Sequence, residues 1–284
     1  MEELAVKKDF TDIYMQEFPF EYLKEMERLY YRIPDSTKPL YLSLAQQLSN
    51  NLGRAIDILD LGSSYGINSA LMRYDLTMKK LDDFFLESKP TKQQTREFFE
   101  SLPKDMTMNF YQIDISKPAL DFSEHMGLCK KGLCVNLENN NLQLQELPPI
   151  DMVIATGCIG YIGYKAFANL LENIKLSSNS SESLVPKPLF AFSVLRIFDM
   201  EKIQKTFDYY GYSLVKTELA PICQRRFSDD DERIQTLSLL HNKGIETKRY
   251  EDNGYFYADF FIACPKRLEK QLVSMSKKMK KQSA

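Results

Sequence analysis

The sequence predicts an α/β protein: a seven-stranded, mostly parallel sheet with helices on both faces. Three observations predict it. The run "AIDILDLGSSYGINSALM" (55–72) passes from an apolar strand through a turn with two glycines into a helical pattern. Strand-like and helix-like runs then alternate from 56 to 210, as parallel strands joined by crossover helices do. "SLVKTEL" (213–219) and "GYFYADFFIAC" (254–264) close the sheet as a final strand pair.

The elements follow in order. "EFPFEYLKEMERLYYR" (17–32) and "PLYLSLAQQLSNNL" (39–52) carry apolar positions at helical spacing, with "IPDSTKP" as a turn between them. Residues 1–54 are thus expected as an N-terminal helical lid ahead of a domain at 55–265. The first strand is 56–61 and its helix 66–73. Residues 75–107 hold two further amphipathic patterns punctuated by Pro90 and Pro103, and are read as an insertion. "MNFYQID" (108–114) is the second strand, and "KPALDFSEHMG" is a helix with proline near its start. "GLCVNL" (132–137) is the third strand. "IDMVIATG" (150–157) is the fourth, nearly continuous in apolar residues as a strand buried on both faces should be. A helix (164–176), a polar loop "SSNSSES", a fifth strand (188–195) and a helix (199–210) follow. A second insertion at about 221–253 separates the final pair, and 266–284 is a basic C-terminal tail.

Composition narrows the function classes. Lys and Arg total 37 against 39 Asp and Glu, for a formal net charge of −2. That is no footprint for nucleic acid or an anionic membrane. No run approaches the length of a membrane-spanning helix, and "MEELAVKKDF" has no secretory pattern, so a cytoplasmic location is expected. Five widely spaced cysteines and two histidines predict free thiols and no metal site. Nothing in the sequence fixes an oligomeric state.

The glycine turn is the informative motif. A phosphate-binding P-loop needs Gly-Lys-Ser/Thr, which does not occur, and a dinucleotide fingerprint needs three glycines where this turn has two. "DLGSSYG" resembles motif I of the class I S-adenosylmethionine-dependent methyltransferases, with Asp60, Gly62 and Gly66 at the acid and outer glycines. Ser64 replaces the central glycine, which requires φ below zero at residue 64. "YQIDISKPAL" resembles the family's second strand end, and the resemblance implies that Asp114 takes the ribose hydroxyls, with Ile115 beside it. A carboxylate suits that role because it accepts two hydrogen bonds side by side. As an alternative, Asp114 caps the following helix, although Ser116 is better placed. The resemblance implies that in "VNLENN" either Asn136 or Glu138 meets the adenine. "ATGCIGYI", with Thr156, resembles the segment beside the cofactor's methionine part. "SYGINSALM", "TGCIGYI", "FSVLRIF" and "QRRF" are similar to an uncharacterised bacterial, small-molecule-type branch. The resemblance covers about 55–265 and implies a Rossmann-like domain, S-adenosylmethionine as cofactor, S-adenosylhomocysteine as product and no metal.

The expected reaction is methyl transfer to a small-molecule acceptor by direct displacement in an enclosed pocket. Tyr161 is the candidate catalytic residue, as an orienting hydroxyl or weak base, or else a rim aromatic. Tyr31 and Tyr65 are candidate substrate contacts, and Tyr30, Tyr31 and Tyr41 stand in the lid. Arg225 and Arg226, with Arg196 converging on them, suit an anionic acceptor through the guanidinium fork. Alternatively, Arg225 and Arg226 pair with "SDDDE" (228–232) in a surface loop. Two other readings stay open: a non-catalytic protein that binds the cofactor or a protein partner, and a protein methyltransferase.

Overall fold

The computed structural model describes residues 11–138, 144–178 and 187–270. The basic run "KKMKKQSA" and most of "SSNSSES" lie outside the described residues.

Strands β1 (Ile56–Leu61), β2 (Met108–Asp114), β3 (Lys131–Cys134), β4 (Met152–Ala155) and β5 (Leu189–Leu195) are parallel. Strands β6 (Tyr212–Lys216), β7 (Ile222–Arg226) and β8 (Tyr255–Pro265) complete an eight-stranded sheet in the order β3-β2-β1-β4-β5-β8-β6, with β7 also on β8. The chain runs outward from β1 to β3, then returns to β4 on the other side of β1. Strand order therefore reverses between β1 and β4, which opens a crevice at their C-terminal ends.

The eighth strand corrects the expected seven. The 11-residue β8 pairs along one side with β5, its Ala258 opposite Leu195. Its other side holds β6 at 261–265 and β7 at 255–258. Strand β7 comes from the second insertion. Its sequence "ICQRR" is too polar to read as a strand, and only the length left over on β8 supplies its partner.

Helices flank the sheet: α1 (Phe20–Arg28), α2 (Ile33–Leu52), α3 (Ile67–Arg73), α4 (Met78–Asp82), α5 (Lys92–Ser101), α6 (Lys117–His125), α7 (Ile159–Ser178), α8 (Glu201–Tyr209) and α9 (Asp230–Asn242). The expected turn at 33–39 is instead the start of α2. Pro34 sits in its first turn, where no amide donor is needed, and Thr37 donates its hydroxyl to the Ile33 carbonyl at 2.9 Å. The Asp35 carboxylate accepts from the Met78 amide at 2.9 Å, so this end of α2 is fixed from outside. Helix α7 is broken at Gly163 (φ 59°, ψ −170°), which leaves Ile159–Ile162 as a separate first turn.

The first insertion has a packing role. A capping box between Thr91 and Gln94 starts α5. Phe85 and Phe99 join Tyr22, Leu23 and Met26 of α1 in one buried cluster, with Leu71 of α3 and Phe122 of α6. An ion pair from Arg32 to Asp82 at 3.2 Å adds a second tie to the N-terminal helices.

The three arginines are not gathered at the crevice. Arg225 and Glu232 form a bidentate pair at 2.9 and 2.6 Å, with both side chains 3% exposed. This is the alternative pairing with "SDDDE", but buried. Arg196 pairs with Glu251 at 2.7 Å and lies over the Tyr250 ring. Arg226 donates to the Tyr255 hydroxyl at 3.0 Å beside Tyr30 on the surface. The sequence showed the guanidinium forks, but the partners come from α9, β8 and the loop before it, up to 55 residues away.

Removing one member of a buried pair strands the other charge. Arg225→Ala is expected to cost about 3–5 kcal/mol of stability, read as a lowered urea midpoint by circular dichroism. A midpoint equal to the wild type's would show that the pair does not hold β7 to α9.

Candidate functional site

The crevice between β1 and β4 holds a cavity of about 270 Å³. That is near the small end of the roughly 300–1,000 Å³ usual for small-molecule sites. Its floor is the glycine turn after β1. Gly62 and Gly66 adopt φ of 62° and 75°, and Ser64 stands at 51°. The turn thus asks residue 64 for the left-handed region, contrary to the expectation of φ below zero. A non-glycine residue there costs about 1–2 kcal/mol.

Asp114 holds this turn. Its carboxylate accepts from the Ser64 amide at 2.8 Å and from the Ser116 amide at 2.9 Å, so it ties the β1 turn to the end of β2. Burial raises its pKa, and those amide bonds oppose the rise. Helix α6 is capped by Ser116, which accepts from the Ala119 amide at 3.3 Å. Asp114 is therefore released from capping and lines the cavity with Ile115.

Strand β3 ends at Cys134, three residues before the expected end. Val135, Asn136, Leu137 and Glu138 are thereby free to form a cavity wall. The Asn136 side-chain oxygen accepts from the Glu138 amide at 2.9 Å. On the β4 side the wall is Thr156, Gly157, Cys158 and Tyr161. Tyr41 is fully buried in α2, and its hydroxyl meets Thr156 Oγ1 at 2.9 Å and the Ala155 carbonyl at 3.1 Å, fixing the end of β4. Cys158 donates its thiol to the Leu61 carbonyl at 3.1 Å.

Asp60 and Gly66 stand behind the wall. Asp60 is fully buried, and both its oxygens accept from Asn68 Nδ2, at 3.1 and 3.2 Å. Asn68, which the sequence did not single out, is the residue that lines the cavity. Burial raises Asp60 to a pKa of about 8, and the Asn68 bond opposes this. A Cβ on Gly66 would collide with the Ser123 hydroxyl and lie 2.8 Å from Gln112 Nε2. One on Gly62, which lines the cavity, would lie 2.6 Å from Cys158 Cβ, so protein packing alone already disfavours a side chain there.

The N-terminal segment closes the cavity with Tyr14, Met15, Tyr22, Tyr31 and Pro34. Of these, only Tyr31 is legible in advance as a cavity residue. Tyr65 is an anchor and not a substrate contact: it is 1% exposed, and its hydroxyl is shared between the carbonyls of Ile13 (3.1 Å) and Gln16 (2.9 Å). The Ser116 hydroxyl donates to the Tyr14 carbonyl. Tyr30 lies outside, against Tyr255. Among the described residues no group of three His, Cys, Asp or Glu side chains could hold a metal ion, and no helix is long and apolar enough to cross a membrane. The five cysteines form no disulfide among the described residues.

No protein-family model matches the sequence, and no curated protein matches it significantly. Among solved structures, the chain is similar to magnesium protoporphyrin IX methyltransferase from Synechocystis, crystallised with S-adenosylmethionine. The identity is 11%, with 93% of this chain and 97% of that chain covered and a TM-score of 0.43. It is also similar to a TehB-like methyltransferase from Corynebacterium glutamicum at 11% identity, with 76% and 85% covered and a TM-score of 0.36. A third is the Burkholderia thailandensis 1,6-didemethyltoxoflavin-N1-methyltransferase at 12%, with 78% and 76% covered and a TM-score of 0.37. Similarity at this level says nothing about what this chain binds.

Two predictions test the turn. Ser64→Gly relieves the left-handed strain at the cost of chain entropy, and is expected to raise stability by up to about 1 kcal/mol in urea unfolding. Destabilisation by the glycine would show that the serine side chain holds the turn. For Asp60, the ordinary pKa of 3.8 applies to the unfolded chain and about 8 to the folded one. Its contribution to stability is complete below the unfolded value and is lost as pH rises through the folded one. Asp60→Asn is therefore expected to gain stability relative to wild type between about pH 5 and about pH 8. Parallel stability curves for the two proteins would contradict this ionisation.

Proposed function

We propose that the cavity binds S-adenosylmethionine and that the protein transfers its methyl group to a small-molecule acceptor. The observation that carries this reading is the Asp114 carboxylate, set at the end of β2 and facing the cavity over the glycine turn. A carboxylate has about four lone-pair sites. The backbone amides of Ser64, Ser116 and Ile115 use part of this capacity, and what is left faces the cavity, where ribose hydroxyls would meet it. The fit has support elsewhere in the wall. Ser63 Oγ and Ser64 Oγ are buried without a hydrogen-bond partner, and both residues line the cavity. Buried hydroxyls of this kind are expected to meet a ligand or water.

The chain's residues then divide the work. Ile115 offers an apolar face to the adenine. Between Asn136 and Glu138, the carboxylate of Glu138 is the acceptor for the adenine amino group, because the Asn136 oxygen already serves the Glu138 amide. Gly62 shapes the turn, and Gly66 lets it pack on Ser123 and Gln112. Asp60 acts through Asn68, whose amide it orients toward the methionine end beside Thr156. When bound, S-adenosylmethionine supplies a methyl carbon on a positively charged sulfur: an acceptor lone pair bonds to it, the carbon–sulfur pair returns to sulfur, and any acceptor proton leaves to water. Tyr161, at the start of α7, orients the acceptor. Tyr31 is a poor base, since burial drives its phenol far above the ordinary range. Catalysis then rests on alignment and exclusion of water, which supply about 7–11 kcal/mol in favourable cases. The segment 13–34, anchored through Tyr65 and Ser116, encloses the acceptor, which favours a small molecule over a protein side chain.

Calorimetry with S-adenosylmethionine and S-adenosylhomocysteine tests the reading. Asp114→Asn keeps one side-chain oxygen for the turn but loses the charge. It is expected to weaken binding by about 1.5–3 kcal/mol, roughly a tenfold to 150-fold rise in Kd. Wild-type protein that binds neither compound, or an unchanged affinity in the variant, refutes the assignment.

A further inference from the structure

The N-terminal segment brings Tyr14, Tyr22 and Tyr31 to the cavity wall, and the loop after β4 brings Tyr161. Among the described residues, the hydroxyls of Tyr14, Tyr22 and Tyr31 have no hydrogen-bond partner, and none of the three is sealed off from solvent. This sets them apart from Tyr41 and Tyr65, whose hydroxyls are engaged by backbone carbonyls. The Tyr31 hydroxyl stands against Gly157, just past the end of β4, where a Cβ would collide with it. Tyr14 is placed by its own carbonyl, which accepts from the Ser116 hydroxyl, and its ring lies 5.3 Å from that of Tyr22. The wall thus presents phenol oxygens with free lone pairs, carried on rings whose faces are negative.

Charge in the wall has a single sign. Asp114 and Glu138 carry it, and among the described residues no Lys, Arg or His lines the cavity. The arginines that suit an anion are held by Glu232, Glu251 and Tyr255. S-adenosylmethionine has a sulfonium, an ammonium and a carboxylate, so its net charge is that of a single cation. The wall carboxylates outweigh it, and a singly positive acceptor restores the balance. A carboxylate, phosphate or thiolate acceptor would add to the excess and lose its hydration without meeting a cation. The chemistry of transfer points the same way. An alcohol or phenol gives up its proton as it attacks and needs a base beside the methyl group. The wall has no histidine or lysine for that, and both carboxylates stand on the β2–β3 side. An amine that has already released its proton to water holds a nucleophilic lone pair and needs no base in the transfer itself.

Resting on the cofactor reading above, we propose that the acceptor is an amine, bound as its ammonium ion, and that Tyr14, Tyr22 and Tyr31 hold it. Its N–H groups donate to the phenol oxygens, and its charge lies against the rings. The ammonium then gives one proton to water. The freed lone pair bonds to the methyl carbon, the carbon–sulfur pair returns to sulfur, and the products are S-adenosylhomocysteine and the N-methylated ammonium ion.

Three probes on one skeleton separate the charge states: benzylamine, benzyl alcohol and benzoate, titrated by calorimetry at neutral pH into protein saturated with S-adenosylhomocysteine. Benzylamine is expected to bind roughly tenfold tighter than benzyl alcohol, the size of effect for a desolvated cation against an aromatic face, and benzoate is expected to bind weakest. The double variant Tyr14→Phe/Tyr31→Phe keeps both rings and removes both oxygens. It is expected to cut the margin of benzylamine over benzyl alcohol to about threefold. Tyr14→Leu/Tyr31→Leu, which removes the rings as well, is expected to erase it; should that variant fail to fold, the phenylalanine variant carries the test. Benzoate or benzyl alcohol binding as tightly as benzylamine, binding of none of the three, or an unchanged margin in the phenylalanine variant overturns the proposal while leaving cofactor binding intact. Failure of the wild type to bind S-adenosylhomocysteine overturns the cofactor reading and this one together.

Discussion

The Asp114 carboxylate is the tie on which the site depends. It accepts from Ser64 on one side and Ser116 on the other, so one acid at the end of β2 sets both the β1 turn and the start of α6. The turn needs this restraint because Ser64 sits in a conformation that favours glycine. Strain of this kind persists only where surrounding contacts over-determine it. Here they include the two amide bonds to Asp114 and the bond from the Cys158 thiol to the Leu61 carbonyl. Capping of α6 falls to Ser116, which leaves the rest of the Asp114 carboxylate facing the cavity.

The same economy of contacts builds the N-terminal wall. Segment 13–34 is fixed at several places, among them two backbone bonds to β7, from the Arg32 amide to the Gln224 carbonyl and from the Arg226 amide to the Leu29 carbonyl. The Tyr65 hydroxyl holds Ile13 and Gln16, the Ser116 hydroxyl holds Tyr14, and Arg32 reaches Asp82. The first insertion packs behind it through Phe85 and Phe99. A region outside the parallel sheet therefore becomes part of a rigid cavity wall, and the insertion supports that wall without touching the cavity.

Charge is handled by burial in pairs. Arg225 with Glu232 and Arg196 with Glu251 are nearly solvent-free, and each holds a piece of the second insertion to the sheet. Such pairs stabilise little relative to apolar packing but are costly to break. Their effect on the site is indirect: they seat β7, which holds Leu29 and Arg32 of the N-terminal segment by backbone bonds. Asp60 is bonded by Asn68 and, among the described residues, by no cation, and burial shifts it toward the protonated form.

The sequence by itself determined the α/β class, the strands β1, β2, β4 and β5, and the position of the crevice. These follow from local patterning: apolar runs buried on both faces, and turns that need glycine. It also determined Asp114 and the loop at 155–161 as cavity residues, because a strand end in such a sheet points at the crevice. Only the tertiary structure decided the roles of the polar side chains. Arg225 and Arg226 read alike in "QRRF", yet one is sealed against Glu232 and the other lies on the surface. A bulge between Cys223 and Arg225 breaks the alternation of β7, so the neighbouring Gln224 is buried as well. Tyr65 reads as a strand-end contact, but α1 and the segment before it bury it. The start of α2 reads as a turn until Asp35 finds the Met78 amide. In each case the deciding partner lies far along the chain. A hydrogen bond or ion pair depends on that partner's position in space, which periodicity and propensity do not encode.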